Sequence, residues 1–135
     1  EKGIGCQEAY NPQAALFGQS IREMMSIIKL AGGSIDNIVY GAGDLYVTIF
    51  GGRTRKLGTL LGRGLTFDEA MAELEGVTLE SVAIAKRIAR AMYRLEESGL
   101  VKMSDFPLLV LIQNIINNGA PVDIPWKAFE IETEK

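Results

Sequence analysis

The chain has 135 residues, 47% of them hydrophobic and 23% charged, with a net charge of −3, one cysteine and no histidine. That is the size of one domain with a substantial core, and the acidic balance excludes a general basic field for nucleic acid or anionic lipid, so any anion site must be local. Cys6 cannot form an internal disulfide, the usual zinc ligands are missing so that no metal is expected, and the longest apolar run, residues 106–116, falls short of a membrane span and is broken by Gln113 and Asn114.

A soluble chain in a reducing, cytoplasmic setting is therefore expected. It begins at Glu1 rather than at a methionine, and no signal-peptide pattern is present, so a segment upstream is expected as well.

Along the chain, Asn11 and Pro12 stand in the order of an N-cap and a first helical residue. Ala15, Leu16, Ile21, Met24, Met25 and Ile28 follow at helical spacing as far as Gly32. Residues 44–50 contain Tyr46, Val47, Thr48, Ile49 and Phe50, all β-favouring types, but one short strand would lack a partner and a helix is predicted instead. The next helix is placed from about Arg53, behind Gly51 and Gly52. Thr66, Asp68 and Glu69 then form a capping box ahead of Ala70, Met71 and Leu74, with Gly76 at the stop position.

A longer helix is predicted from Thr78 to Glu97, with Val82, Ile84, Ala85, Ile88, Ala89, Met92 and Leu95 as its apolar stripe and Gly99 as its end. Another follows Pro107 through Ile116, and a weaker one follows Pro125. There are no repeats, and the fold class predicted is all-α. Met24, Met25, Met71 and Met92 are read as core residues, Trp126 as a packing anchor for the tail, and residues 130–135 as a solvated end.

Residues 51–65 hold four basic side chains, Arg53, Arg55, Lys56 and Arg63, and no acidic one. A helix starting at Arg53 would present free backbone N–H groups and the positive end of its dipole beside Gly51 and Gly52, where an anion can approach the backbone closely. Arg53 would add a guanidinium able to hold two phosphate oxygens. Asp44 and Thr48, four residues apart, would share a helix face and suit a polyol. Spacing alone favours a blander reading, with the glycines as a helix stop, the cations as a solvated face, Asp44 as a cap and Thr48 in the core.

Residues 41–58 (GAGDLYVTIFGGRTRKLG) resemble the substrate-binding signature of the C-terminal domain of NAD-dependent glycerol-3-phosphate dehydrogenases. The likeness continues through residues 64–88 (GLTFDEAMAELEGVTLESVAIAKRI) and 105–119 (DFPLLVLIQNIINNG), covering most of the span from Asn11 to Gly119. The run GGRTRK looks nearer the family's eukaryotic-type members. Such enzymes have a Rossmann dinucleotide-binding domain first and a helical substrate domain second, with the active site between them. The resemblance implies that residues 1–135 form the second domain, a multi-helix bundle of the 6-phosphogluconate dehydrogenase C-terminal type. The only glycine-rich candidate for a nucleotide loop, at 41–43, lacks a βαβ context.

The resemblance further implies roles for particular residues. Asp44 would touch the substrate hydroxyls and support a catalytic lysine that lies upstream in the family and that Lys2 does not match. Thr48 would line the same wall, and Arg53 would grip the substrate phosphate close to the dinucleotide, with Gly52 and Thr54 beside it. Thr78 and Glu80 would lie near the cofactor, NAD or NADP, held mainly by the Rossmann domain.

The implied reaction interconverts dihydroxyacetone phosphate and sn-glycerol 3-phosphate in glycerophospholipid metabolism, with this domain inactive alone. The family usually has asparagine at the position of Thr54, which keeps open a related two-domain dehydrogenase with another substrate. A free-standing helical interaction module that uses its faces for homodimerisation is the remaining reading, and the apolar faces of the helices at 11–30 and 107–118 would be covered by the missing domain, by a second subunit or by each other.

Overall fold

The computed structural model describes residues 10–75 and 77–130. Lys2, Cys6, the stop predicted at Gly76 and the tail at 131–135 lie outside them. Among the described residues there are helices and no strand: α1 (Tyr10–Leu30), α2 (Ile38–Phe50), α3 (Arg53–Gly62), α4 (Phe67–Glu73), α5 (Glu80–Glu97) and α6 (Pro107–Asn118). Single 3-10 turns occur at Ile35–Asn37, Met103–Asp105 and Trp126–Phe129. The all-α class is as predicted.

Three boundaries differ from the sequence reading. Asn11 is not a cap, because α1 already includes Tyr10. The helix predicted from Thr78 begins at Glu80, since Leu79 is extended (φ −114°, ψ 91°) and turns its side chain into the core. The segment after Pro125 makes only one 3-10 turn, in which Trp126 packs edge-on against Phe129 with ring centroids 5.7 Å apart while remaining 44% exposed.

Two apolar clusters form the core, and α6 belongs to both. Leu57 of α3, Phe67 and Ala70 of α4, Leu79 and Ile115 of α6 make one; Ala89 and Met92 of α5, Met103, Phe106 and Leu109 of α6 make the other. The α5 stripe is as predicted except for Ile84, which is 52% exposed. It lies at one edge of the stripe, about 140° around the helix from the fully buried Ala89, so helical geometry leaves it at the margin of the core.

The residues that α1 buries are polar. Glu23 is buried against the start of α6, where one carboxylate oxygen accepts the Leu108 N–H (2.8 Å) and the other the Leu109 N–H (3.0 Å). Phe106 at the N-cap of α6 offers no side-chain hydrogen bond, so a carboxylate from another helix does the capping. Buried Gln19 donates to Glu23 at 3.0 Å and accepts from Arg22, whose guanidinium also donates to the Phe129 carbonyl. The first helix is thereby tied to both α6 and the C-terminal turn.

By contrast α2 buries nothing completely. Val39, Tyr40, Tyr46, Val47 and Phe50 are all more than half exposed, although the helix carries only one charged side chain, Asp44. A helix so apolar on all sides ordinarily has neighbours on all sides.

The capping box at α4 is complete: Thr66 Oγ1 accepts the Glu69 N–H, and the Glu69 carboxylate accepts the Thr66 N–H at 2.8 Å. Hydrogen bonds from the Thr66 backbone, and then from its side chain, hold the Glu69 carboxyl below its ordinary range. Thr66→Ala is expected to cost about 1 kcal/mol in urea denaturation. A depressed carboxylate stabilises the fold above its unfolded pKa, about 4.3, and this contribution disappears as pH falls through the folded value. The stability gap between the parent and Glu69→Gln should therefore narrow steadily below about pH 4.3; a gap independent of pH would show that the charge has no part in the cap.

Candidate functional site

The last turn of α2, the start of α3 and the start of α5 meet at an open cavity of about 440 Å³. Its lining includes Thr48, Gly52, Arg53, Thr54, Thr78 and Glu80. Six of the seven residues singled out from the sequence thus share one cavity although they come from separate stretches of chain. Asp44 is exposed and is not among the lining residues. It lies one helical turn before Thr48, about 6 Å along the axis of α2.

Two glycines turn the chain from α2 into α3. Gly51 is extended and Gly52 has φ 98° and ψ 176°, a region that side-chain-bearing residues avoid at a cost of about 1–3 kcal/mol. A Cβ on Gly52 would meet no atom within 4 Å, so the requirement for glycine comes from the backbone rather than from crowding. The first backbone hydrogen bond of α3 runs from the Lys56 N–H to the Gly52 carbonyl. The N–H groups of Arg53, Thr54 and Arg55 precede that bond and, among the described residues, take no backbone acceptor and have no side-chain cap. The positive end of the helix therefore opens toward the cavity.

Hydrogen bonds set the orientation of the polar groups. Arg53 Nη1 donates to the Thr78 carbonyl at 3.3 Å, an acceptor left available because α5 starts only at Glu80. Arg55 Nη1 donates to the Phe50 carbonyl at 3.0 Å and ties α3 back to the end of α2. Thr48 donates its hydroxyl proton to the Asp44 carbonyl at 2.9 Å, which leaves the oxygen lone pairs to accept from a ligand hydroxyl. The hydroxyls of Thr54 and Ser81 lie 2.8 Å apart and link α3 to α5.

Ser81, which sequence reasoning passed over, lines the cavity with Gly51 and Leu79. Its place immediately after Glu80, in the first turn of a helix, was the available signal. Among the described residues no cluster of His, Cys, Asp and Glu is arranged to hold a metal, and no described helix is long and apolar enough to cross a membrane.

The chain matches the family described as NAD-dependent glycerol-3-phosphate dehydrogenase C-terminus over residues 2–127. It is 36% identical over 132 residues to the NADP(+)-dependent glycerol-3-phosphate dehydrogenase of Archaeoglobus fulgidus, a match that covers 95% of this chain and 37% of that relative. It is 30% identical over 135 residues to the glycerol-3-phosphate dehydrogenase (NAD(P)+) of Clostridium tetani, covering 97% of this chain and 35% of the relative. With the enzyme of the same description from Xanthomonas euvesicatoria it shares 34% identity over 90 residues, 64% of this chain and 26% of the relative.

The chain thus spans little more than a third of the first two proteins and about a quarter of the third. All three relatives are archaeal or bacterial, so the likeness of the run GGRTRK to eukaryotic-type members does not by itself assign a lineage. No solved structure matches this chain. The match over nearly its whole length nevertheless makes the chain a member of the family of NAD-dependent glycerol-3-phosphate dehydrogenase C-terminal domains.

Proposed function

We propose that this chain is the substrate-binding domain of a two-domain enzyme that interconverts dihydroxyacetone phosphate and sn-glycerol 3-phosphate using NAD or NADP. The observation that carries this reading is the gathering of Thr48, Gly52, Arg53, Thr54, Thr78 and Glu80 around one cavity at the N-terminus of α3. Arg53 and the free N–H groups of α3 bind the substrate phosphate, and Thr48 accepts a hydrogen bond from a substrate hydroxyl. Asp44, at the outer edge on α2, faces the catalytic lysine contributed by a preceding domain.

Arg53, at the start of α3, meets Thr78 and Glu80, at the start of α5, with its guanidinium anchored on the Thr78 carbonyl. They suit one edge of an extended anionic dinucleotide whose other contacts come from the Rossmann domain. When bound, the nicotinamide supplies or takes the hydride. The residues of this domain orient the carbonyl carbon for that exchange through contacts remote from it.

Oxidation of NADH or NADPH with dihydroxyacetone phosphate, followed in the complete protein with this domain as the control, tests the proposal. Activity is expected in the complete protein alone. A complete protein that folds, binds dinucleotide and leaves the triose phosphate untouched would remove this substrate.

The exposed apolar side of α2 also supports a further packing partner. We assign that role to the preceding domain, because α2 carries both Asp44 and Thr48 of the shared site. A self-associating module is the competing reading, and it requires this domain alone to sediment as a dimer.

A further inference from the structure

Next to the phosphate cradle, between α3 and α5, an apolar groove encloses about 230 Å³. Leu57, Leu61, Phe67, Val82, Ile112 and Ile115 supply most of its wall, and Thr54 and Ser81 belong both to it and to the cradle. α3 packs on α4 and α5 packs on α6, and the groove lies between the two pairs. Gly58, in the middle of α3, keeps it open: a Cβ at this position would meet nothing within 4 Å. Glycine in a helix interior is unfavourable by about 1 kcal/mol relative to alanine, and no turn or positive φ requires it here.

We propose that cradle and groove form one elongated site for a single-chain alkyl or acyl phosphate ester. The phosphate lies on Arg53 and the N-terminus of α3, and the chain runs past the Thr54–Ser81 hydroxyl pair along Leu57, Leu61 and Phe67. This rests on the reading of the cradle as a phosphate site. The groove selects the rest of the ligand: beyond the two hydroxyls its wall offers almost nothing to hydrogen-bond, so a second phosphate or a sugar would lose its water without replacement. A hydrocarbon chain loses nothing polar there. Arg53, Arg55 and Lys56, in the first turn of α3, favour an anionic head at that end. Separating Thr54 from Ser81, each of which can bond a ligand oxygen instead, joins the two cavities into one channel.

The consequence is regulation by chemistry one step removed. A glycerol phosphate that has been O-acylated once presents the same head as the proposed substrate and adds the chain the groove accepts. It would compete with the substrate and slow its own supply.

Methyl, butyl and octyl phosphate, used below micelle-forming concentrations against the complete protein, provide the test, with competition against dihydroxyacetone phosphate as the readout. Affinity is expected to rise about two- to fourfold for each methylene buried, and so about ten- to a hundredfold from methyl to octyl if half of the chain enters the groove. Gly58→Leu, which fills the groove from α3, should reduce that rise to threefold or less and leave methyl phosphate binding as in the parent. Ala85→Leu does the same from the α5 wall and serves if the first variant does not fold.

If methyl phosphate fails to compete, the cradle reading and this proposal fall together. If methyl phosphate competes but octyl phosphate binds no tighter, the groove is overturned while the cradle stands. A chain-length dependence that survives both variants would place the chain on other apolar surface, such as the outer side of α2, and would equally overturn the proposal.

Discussion

Replacing Arg53 with alanine in the complete protein is expected to lower kcat/KM for dihydroxyacetone phosphate by about 100- to 1000-fold, equivalent to about 2.7–4 kcal/mol of transition-state stabilisation. The guanidinium is held toward the cavity by its bond to the Thr78 carbonyl, and its remaining N–H groups form a planar donor set suited to two phosphate oxygens. The phosphate does not react, so its contribution lies in fixing where the carbonyl carbon sits.

This argument predicts a specific pattern. Dihydroxyacetone without its phosphate, a poor substrate to begin with, should be turned over by Arg53→Ala about as well as by the parent, because no phosphate contact remains to be lost. Arg53→Lys should recover only part of the loss, since a single ammonium cannot reproduce the two-point geometry. Equal losses with and without the phosphate would indicate a damaged fold, and undiminished kcat/KM would take Arg53 out of the site.

Glu23→Ala is expected to destabilise the domain by about 2–5 kcal/mol in urea denaturation, the largest stability effect expected of any single substitution considered. The substitution strips acceptors from the Leu108 and Leu109 N–H groups at the start of α6 and from the Gln19 amide, and each buried donor left unsatisfied costs about 1–3 kcal/mol. It also removes a negative charge from the positive end of a helix. Glu23→Gln keeps the shape but has one oxygen for two N–H groups and turns a donor toward the other, so it should recover less than half of the loss. A change under about 0.5 kcal/mol for alanine would mean that solvent substitutes for the carboxylate and that α6 is capped by water.

These two residues also mark how far the sequence could be read. Arg53, Gly52 and the Thr66–Glu69 box were legible because the chemistry of a helix start is local and its partners lie within a few residues. Thr48 was legible from its spacing to Asp44, one helical turn earlier, whereas Thr54, Thr78 and Glu80 reached the site through resemblance to a known motif, since nothing in their spacing brings α5 to the end of α2. Ser81 had the right chemistry and position but no motif to single it out.

Glu23 and Gln19 were out of reach. In an α1 pattern read for apolar spacing they count as outward-facing residues, and only their role at the distant start of α6 explains their burial. The start of α5 was misplaced for a related reason: the burial of Leu79 and the demand of Arg53 for the Thr78 carbonyl are tertiary effects that override a plausible local helix start. Residues 44–50 show the same override with the opposite outcome, because β-favouring side chains form a helix where, among the described residues, there is no strand to pair with them.

The tie between Glu23 and α6 spans 85 and 86 residues of chain. During synthesis at the usual 5–20 residues per second, α1 leaves the ribosome roughly 4–17 s before the segment whose N–H groups its carboxylate will accept. Local helices form within about a microsecond, so for that whole interval the nascent chain carries secondary structure without closure. The domain can become a cooperative unit only when its last long helix arrives, and a ribosome that stalls before Pro107 leaves α1 through α5 without the element shared by both halves of the core.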